Sequence, residues 1–378
     1  MDLKLFFDLT EVDADSSALS FQSSIYVNHH KIPDYDSLNI ALIGLNEYRG
    51  NKNQNGEPKS ADAIREQLYK LKKGYGDYGI LDLGNFRNGP TLDDTYLRLK
   101  EVCAYLMNKG IIPILFGGTH DLDLGQYYAY EDSGKLISVL NIDSKLNLEG
   151  DKAINHHTTK IFKHTPNYLF NYYHLAYQSY LINPQQLELF DRLSFEALRL
   201  GTIKEDIKEV EPIIRDADML TFDIAAIQNA YAPGAIGAGV YGLTGEEACQ
   251  LMWYSGQNEK LSSVGLYNYD YKQDSENKTA FVISTMIWYF IEGFYHRRND
   301  KNFMSNDYLK YEVHIGGDPD TIRFYKSKLS ERWWVEVPNA GTQGLFNRNR
   351  MLACSYTDYQ TALKGEVPDR WINFYSKT

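Results

Sequence analysis

Three short, largely apolar runs each hand over to a polar cluster at the carboxyl end, and this arrangement constrains the fold more than any other feature. Ile111–Phe116 leads into Gly117, Gly118, Thr119 and His120; Leu136–Ile142 into Asp143, Ser144, Lys145, Leu146 and Asn147; Met219–Phe222 into Asp223, Ile224 and Ala225. Runs of this length without strict polar alternation read as strands buried on both faces. Further strands are predicted over Leu38–Leu45, Ile80–Leu83, Phe195–Gly201 and Leu261–Tyr267. Helices are predicted over Ser60–Lys72 with Ser60 as cap, Asp93–Asn108, from Asp121 onward, Leu187–Arg192, Ile207–Arg215 and Thr279–Arg297. Another starts at Thr244, with Glu247 three residues on as a capping box. Strand and helix in alternation predict a three-layer α/β/α fold with a mostly parallel sheet. Such sheets hold ligands in the crevice outside the carboxyl ends of their strands, where the polar clusters lie.

Composition sets the outer bounds. The 378-residue chain carries a net charge of −11, which excludes nucleic acid and an anionic membrane surface as favoured partners. Met1–Thr10 is acidic where a signal peptide needs a basic start, and no run of ~18 apolar residues occurs, so a cytoplasmic protein without membrane insertion is expected. Cys103, Cys249 and Cys354 have neither metal-type spacing nor a disulfide pattern, and the adjacent His29 and His30 read as surface residues. The chain divides into an N-terminal segment, 1–37; an α/β domain, 38–298; and a C-terminal α+β appendage, 299–378. The appendage is expected to hold strands at Tyr308–Ile315, Arg323–Lys326 and Trp333–Val337 and a helix at Tyr356–Lys364. The 30 tyrosines and the Arg332-Trp333-Trp334 stretch suit a protein partner or self-association, or else packing at the core rim and a seal between appendage and domain.

Gly-Gly-x-His, then an aspartate-led cluster, then Thr-Phe-Asp-x-Ala, each after its strand, resembles the ureohydrolases: arginase, agmatinase and formimidoylglutamase. Arg49-Gly50-Asn51 with Ser60-Ala61-Asp62-Ala63-Ile64-Arg65, Arg199-Leu200-Gly201, and Ala232-Pro233-Gly234 with Gly242-Leu243-Thr244 extend the resemblance over roughly residues 36–300. It implies an arginase-like sheet and a site in which two histidines and four aspartates hold two manganese ions. His120, Asp143 and Asp223 match ligand positions, while Lys145 stands where a histidine belongs, Asn147 and Ala225 stand where aspartates belong, and Gln228 replaces a later aspartate. Asn268 stands in place of a substrate-contacting glutamate, and His157, among His156, His157 and His164, is a candidate proton shuttle.

The eroded ligand set changes the expected electrostatics. His120, Asp143, Asn147 and Asp223 with a cationic Lys145 carry about −1, too little to require two divalent ions. The Lys145 ammonium is therefore expected to fill a cation position and pair with Asp143 and Asp223. An ammonium ~4 Å from a divalent ion costs about 8 kcal/mol at an effective dielectric near 20. No cofactor is expected, or at most one weakly bound manganese on the degenerate remnant His120, Asp143, Asn147 and Asp223. The leading expectation is thus a non-catalytic pseudoenzyme, a scaffold or binding module whose remnant pocket (Lys145, Asn268, His157) could take a small ligand. The alternative is a hydrolase of C–N bonds in linear amidines, formimidoylglutamase- or arginase-like, with a single-metal or altered site.

Overall fold

The computed structural model describes residues 1–13, 17–28, 37–50, 59–148, 156–300, 303, 305–338 and 350–377. The turn-rich stretch 51–58, the histidine pair 29–30 and the first residue of the 155–165 loop lie outside the described residues.

A ten-stranded sheet organises the chain. Its strands are β1 (Phe7–Asp8), β2 (Tyr26–Val27), β3 (Ile40–Leu45), β4 (Ile80–Phe86), β5 (Ile112–Gly117), β6 (Ile137–Ile142), β7 (Leu169–Tyr177), β8 (Glu196–Arg199), β9 (Met219–Asp223) and β10 (Ser263–Tyr267). The spatial order is β1-β4-β3-β5-β10-β9-β6-β7-β8, with β2 also on β4. All pairings are parallel except β1 on β4. The first two strands come from the N-terminal segment and extend one edge of the sheet.

Helices cover both faces, as the double-sided burial of the strands requires. Along β3, Ile40 and Leu42 join one apolar cluster while Ala41, Ile43 and Leu45 join the other. The first cluster is closed by α1 (Ser60–Lys70), α8 (Gly245–Gln257) and α9 (Lys278–Tyr295), through Ile64, Leu68, Leu251, Met252, Ile283 and Ile287. The second is closed by α2 (Leu92–Asn108) and α3 (Asp123–Tyr128), through Leu99, Val102, Leu106 and Leu124. Arg65 of α1 is wholly buried and pins that helix to β4, with its Nε 2.9 Å from Asp82 Oδ2. The three-layer α/β/α expectation holds.

Local differences have physical causes. Ser60 is the first helical residue rather than the cap, and α1 ends at Lys70, because Leu71 turns to an extended conformation. The capping box of Thr244 and Glu247 forms as expected. Strand β7 was not predicted, since Asn171 and His174 interrupt its apolar pattern. Between two neighbours its polar groups find partners, with His174 Nε2 3.0 Å from the Asp143 carbonyl. The predicted strand at 195–201 stops at Arg199 and continues as α6 (Leu200–Glu205). Between β6 and β8 the chain also forms α4 (His157–Phe162) and α5 (Pro184–Arg192), and after α6 comes α7 (Glu211–Asp216).

Residues beyond 300 form an antiparallel sheet, β11 (Tyr308–His314), β12 (Thr321–Ser327), β13 (Trp333–Val337) and β14 (Arg350–Cys354), followed by α10 (Tyr356–Leu363) and α11 (Asp369–Tyr375). The fourth strand was not read from sequence. Trp333 and Trp334 are buried, and the Arg215 guanidinium of α7 lies 4.4 Å from the Trp334 ring centroid while donating to the Trp333 and Cys354 carbonyls. The tryptophan pair therefore seals the appendage onto the α/β layers.

Candidate metal centre

Four adjacent parallel strands, β5, β10, β9 and β6, end at nearly one level. Leu266 is in register with Phe116 on one side and Phe222 on the other, and Phe222 with Ile142. One residue further on, Asp223 and Asp143 stand side by side, and the turn after β5 swings His120 over them. That turn needs its glycines: Gly117 and Gly118 have φ of +92° and +68°, and a Cβ on Gly117 would come within 2.5 Å of the Leu45 carbonyl oxygen.

His120 lies at the centre. Its Nδ1 is 3.2 Å from Asp223 Oδ2 and 3.6 Å from Asp143 Oδ2. Its Nε2 is 2.8 Å from Thr221 Oγ1 and 3.8 Å from Asp123 Oδ2. The other oxygen of each strand-end carboxylate is held by backbone, Asp143 Oδ1 by the Lys145 N–H at 3.0 Å and Asp223 Oδ1 by the Ala225 N–H at 2.8 Å. Both inward oxygens also accept from amides at 2.6 Å, Asp143 Oδ2 from Asn147 and Asp223 Oδ2 from Asn268. Asn268 Oδ1 in turn accepts from the His120 backbone N–H at 3.1 Å. Asn268 is thus a brace between two site residues.

A second group sits against the other edge of the imidazole. His157, at the start of α4, lies with its ring centroid 4.3 Å from that of His120. Its Nδ1 is 2.7 Å from Asp123 Oδ2. His120, Asp123 and His157 form one cluster of possible metal donors and His120, Asp143 and Asp223 another, all of them buried. Two buried polar atoms here, Asp123 Oδ1 and His157 Nε2, have no hydrogen-bond partner among the described residues and so remain open to a ligand or a water molecule. A cleft of about 270 Å³ opens on the clusters, lined also by Ser144, Ile236 and Gly237.

Titration of these groups records their crowding. Burial alone would drive His120 down, but the carboxylates of Asp143, Asp223 and Asp123 overcome it and hold the imidazole well above its usual range. Burial and the neighbouring Asp223 charge push the Asp143 carboxyl up.

The structure rearranges the sequence reading of the site. His120, Asp143, Asn147, Asp223, Asn268 and His157 all converge on the cleft, and Lys145 lies at its lining. The Lys145 side chain, however, is exposed, and among the described residues its ammonium pairs with no carboxylate. It does not occupy a cation position; the residue between Asp143 and Asp223 is His120. Asp123 was missed altogether. Its position one helical turn after His120, in a segment predicted as helix, was the available signal. With Asp123 counted and Lys145 in solvent, three carboxylates face the site and the −1 assigned from sequence does not stand.

Fold and site together define a three-layer α/β/α protein with a candidate metal centre at the carboxyl edge of its sheet. The Arginase family model matches residues 38–292, and the chain belongs to that family. A formimidoylglutamase of Staphylococcus carnosus is 26% identical over 264 residues, covering 64% of this chain and 81% of the relative. One of Staphylococcus haemolyticus is 24% identical over 294 residues, covering 72% and 92%. Formimidoylglutamase from Bacillus subtilis superposes with a TM-score of 0.66 at 16% identity, over 79% of this chain and 98% of that one. Formiminoglutamase of Trypanosoma cruzi, solved with Mn2+, gives 0.65 at 16% identity, over 71% and 97%.

Two expectations are corrected by these findings. A site with no metal is contradicted by the buried donor cluster of His120, Asp143 and Asp223, whose carboxylates pair with no lysine among the described residues. A non-catalytic scaffold is contradicted by the same retained cluster, together with curated relatives that are formimidoylglutamases over most of their length. Separately, no helix among the described residues is long and apolar enough to cross a membrane.

Proposed function

We propose that the chain is a manganese-dependent hydrolase of C–N bonds in linear amidines, acting on an N-formimino compound as its formimidoylglutamase relatives' name indicates. The observation that carries this reading is the buried cluster of His120, Asp143 and Asp223 at the floor of an open cleft.

The donors suit such an ion. An ion ~2.1 Å from each of two ligands keeps them roughly 3.0–3.4 Å apart. His120 Nδ1 stands 3.2 Å from the inward oxygen of Asp223, within that range, and 3.6 Å from that of Asp143, slightly beyond it. His120, Asp143 and Asp223 would hold it, and Asn147 can turn its amide oxygen inward in place of the amide nitrogen, while Asn268 is fixed by the His120 N–H as a brace. Oxygen-rich sets of this kind accept manganese. Bound manganese supplies positive charge that polarises the amidine and lowers the pKa of a water molecule.

The remaining work falls to side chains. Asp143 and Asp223 keep their geometry through the Lys145 and Ala225 amides. His157, buried and lining the cleft, carries the proton that leaves water as the new C–O bond forms and arrives at the departing nitrogen as the C–N bond breaks. The products are an amine and an amide, with no change in oxidation state.

The test is turnover of a panel of N-formimino and guanidino compounds by manganese-loaded protein, read as formamide, ammonia or urea release. Release from N-formimino amino acids is expected. No release from any member would overturn the reading.

A further inference from the structure

Asp123 lies outside the pattern through which the chain was recognised, yet it is one of the most enclosed polar residues in the protein, with no exposed surface. It opens α3, and its Oδ2 faces three groups: His157 Nδ1 at 2.7 Å, Thr221 Oγ1 at 3.4 Å and His120 Nε2 at 3.8 Å. The shortest of these is a hydrogen bond, too close for an ion to separate the two atoms, since donors sharing an ion stand roughly 3.0 Å or more apart. A carboxylate only accepts, so Nδ1 of His157 must carry the hydrogen. In a neutral imidazole the lone pair then lies on Nε2. That atom is buried and unpartnered, on a residue that lines the cleft.

An imidazole held this way differs from one packed for stability. The wholly buried His174 satisfies both nitrogens, with its Nε2 3.0 Å from the Asp143 carbonyl and its Nδ1 3.3 Å from the Asn141 amide. His157 satisfies one and leaves the other bare, although burying an unpaired acceptor costs about 1–3 kcal/mol. We propose that Asp123 is a positioning residue: it fixes His157 as the Nδ1–H tautomer and aims the Nε2 lone pair into the cleft, where it takes up the water proton and passes it to the leaving nitrogen. This assignment rests on the amidine-hydrolase reading for the identity of the reaction, while the Asp123–His157 pairing itself does not.

Three variants and one spectrum test it. Asp123→Asn replaces an acceptor with a group that can donate to Nδ1, so kcat should fall ~100-fold or more with KM within about threefold and manganese content unchanged. In a His157→Gln background the same substitution should change kcat by less than about threefold, because the pair acts as a unit. Equal losses in both backgrounds, or loss of manganese with Asp123→Asn, would overturn the assignment, the second by making Asp123 a ligand. Should the variants fail to fold, nitrogen NMR of wild-type protein labelled at histidine, with magnesium as a diamagnetic ion, reads the tautomer directly. A protonated Nδ1 and bare Nε2 on His157 support the pairing, and the reverse refutes it. If wild-type protein turns over no amidine, the functional reading fails, and the spectrum still decides the pairing.

Discussion

Replacing Lys145 by alanine separates two electrostatic pictures of the cleft. If the ammonium occupied a cation position ~4 Å from a divalent ion, it would oppose binding by about 8 kcal/mol, roughly a million-fold in Kd. The structure instead leaves Lys145 exposed, with only its backbone N–H engaged by Asp143. An ammonium in water roughly 8 Å from the ion opposes it by about 1 kcal/mol before screening. A Debye length of about 8 Å at physiological salt cuts that further. Lys145→Ala should therefore tighten manganese binding less than about fivefold in a calorimetric titration, and the difference should shrink in 0.5 M salt. A gain of a hundredfold or more, insensitive to salt, would show that the amine sits among the acids and would refute the placement of His120 as the residue between them.

Other outcomes follow from the same geometry. His120 has a folded-state pKa raised well above 6.5, so without metal its contribution to stability is complete below that pH and is lost as pH rises through the folded value. Metal must displace that proton, so the gain in Tm on adding manganese should be larger at pH 8 than at pH 6 by differential scanning fluorimetry; a gain that shrinks as pH rises would contradict it. Arg65→Ala leaves the buried Asp82 carboxylate without its partner and should cost about 3–5 kcal/mol in urea unfolding; a loss below 1 kcal/mol would mean that the pair is not holding α1 to β4. Asn147→Asp and Ala225→Asp made together should raise the manganese bound per chain by elemental analysis; no increase would mean that these positions do not face the ion.

The sheet was legible because its central strands are short apolar runs ended by glycine or aspartate, a signal that survives without neighbours. Strand β7 was hidden because Asn171 and His174 are polar residues satisfied by distant partners, Lys377 for Asn171 and the Asp143 carbonyl for His174. For the site, residue identity and strand position were enough to bring His120, Asp143, Asn147, Asp223 and Asn268 together. Side-chain direction was not available: Lys145 alternates with Asp143 and Asn147 in an extended chain, but Asn147 is left-handed, with φ of +49°, and the strand ends at Ile142. The alternation that would have turned the amine inward is broken there. Asp123 is hidden for the opposite reason, because it sits at a helical spacing from His120, at the start of α3, and not at a strand end.

Metal content tests the central claim most directly: protein loaded with manganese, desalted, and measured by elemental mass spectrometry beside an Asp143→Asn, Asp223→Asn double variant. A stoichiometric ion retained by the wild type and lost from the double variant is predicted. A wild-type chain that keeps no manganese, or a variant that keeps as much, would contradict it.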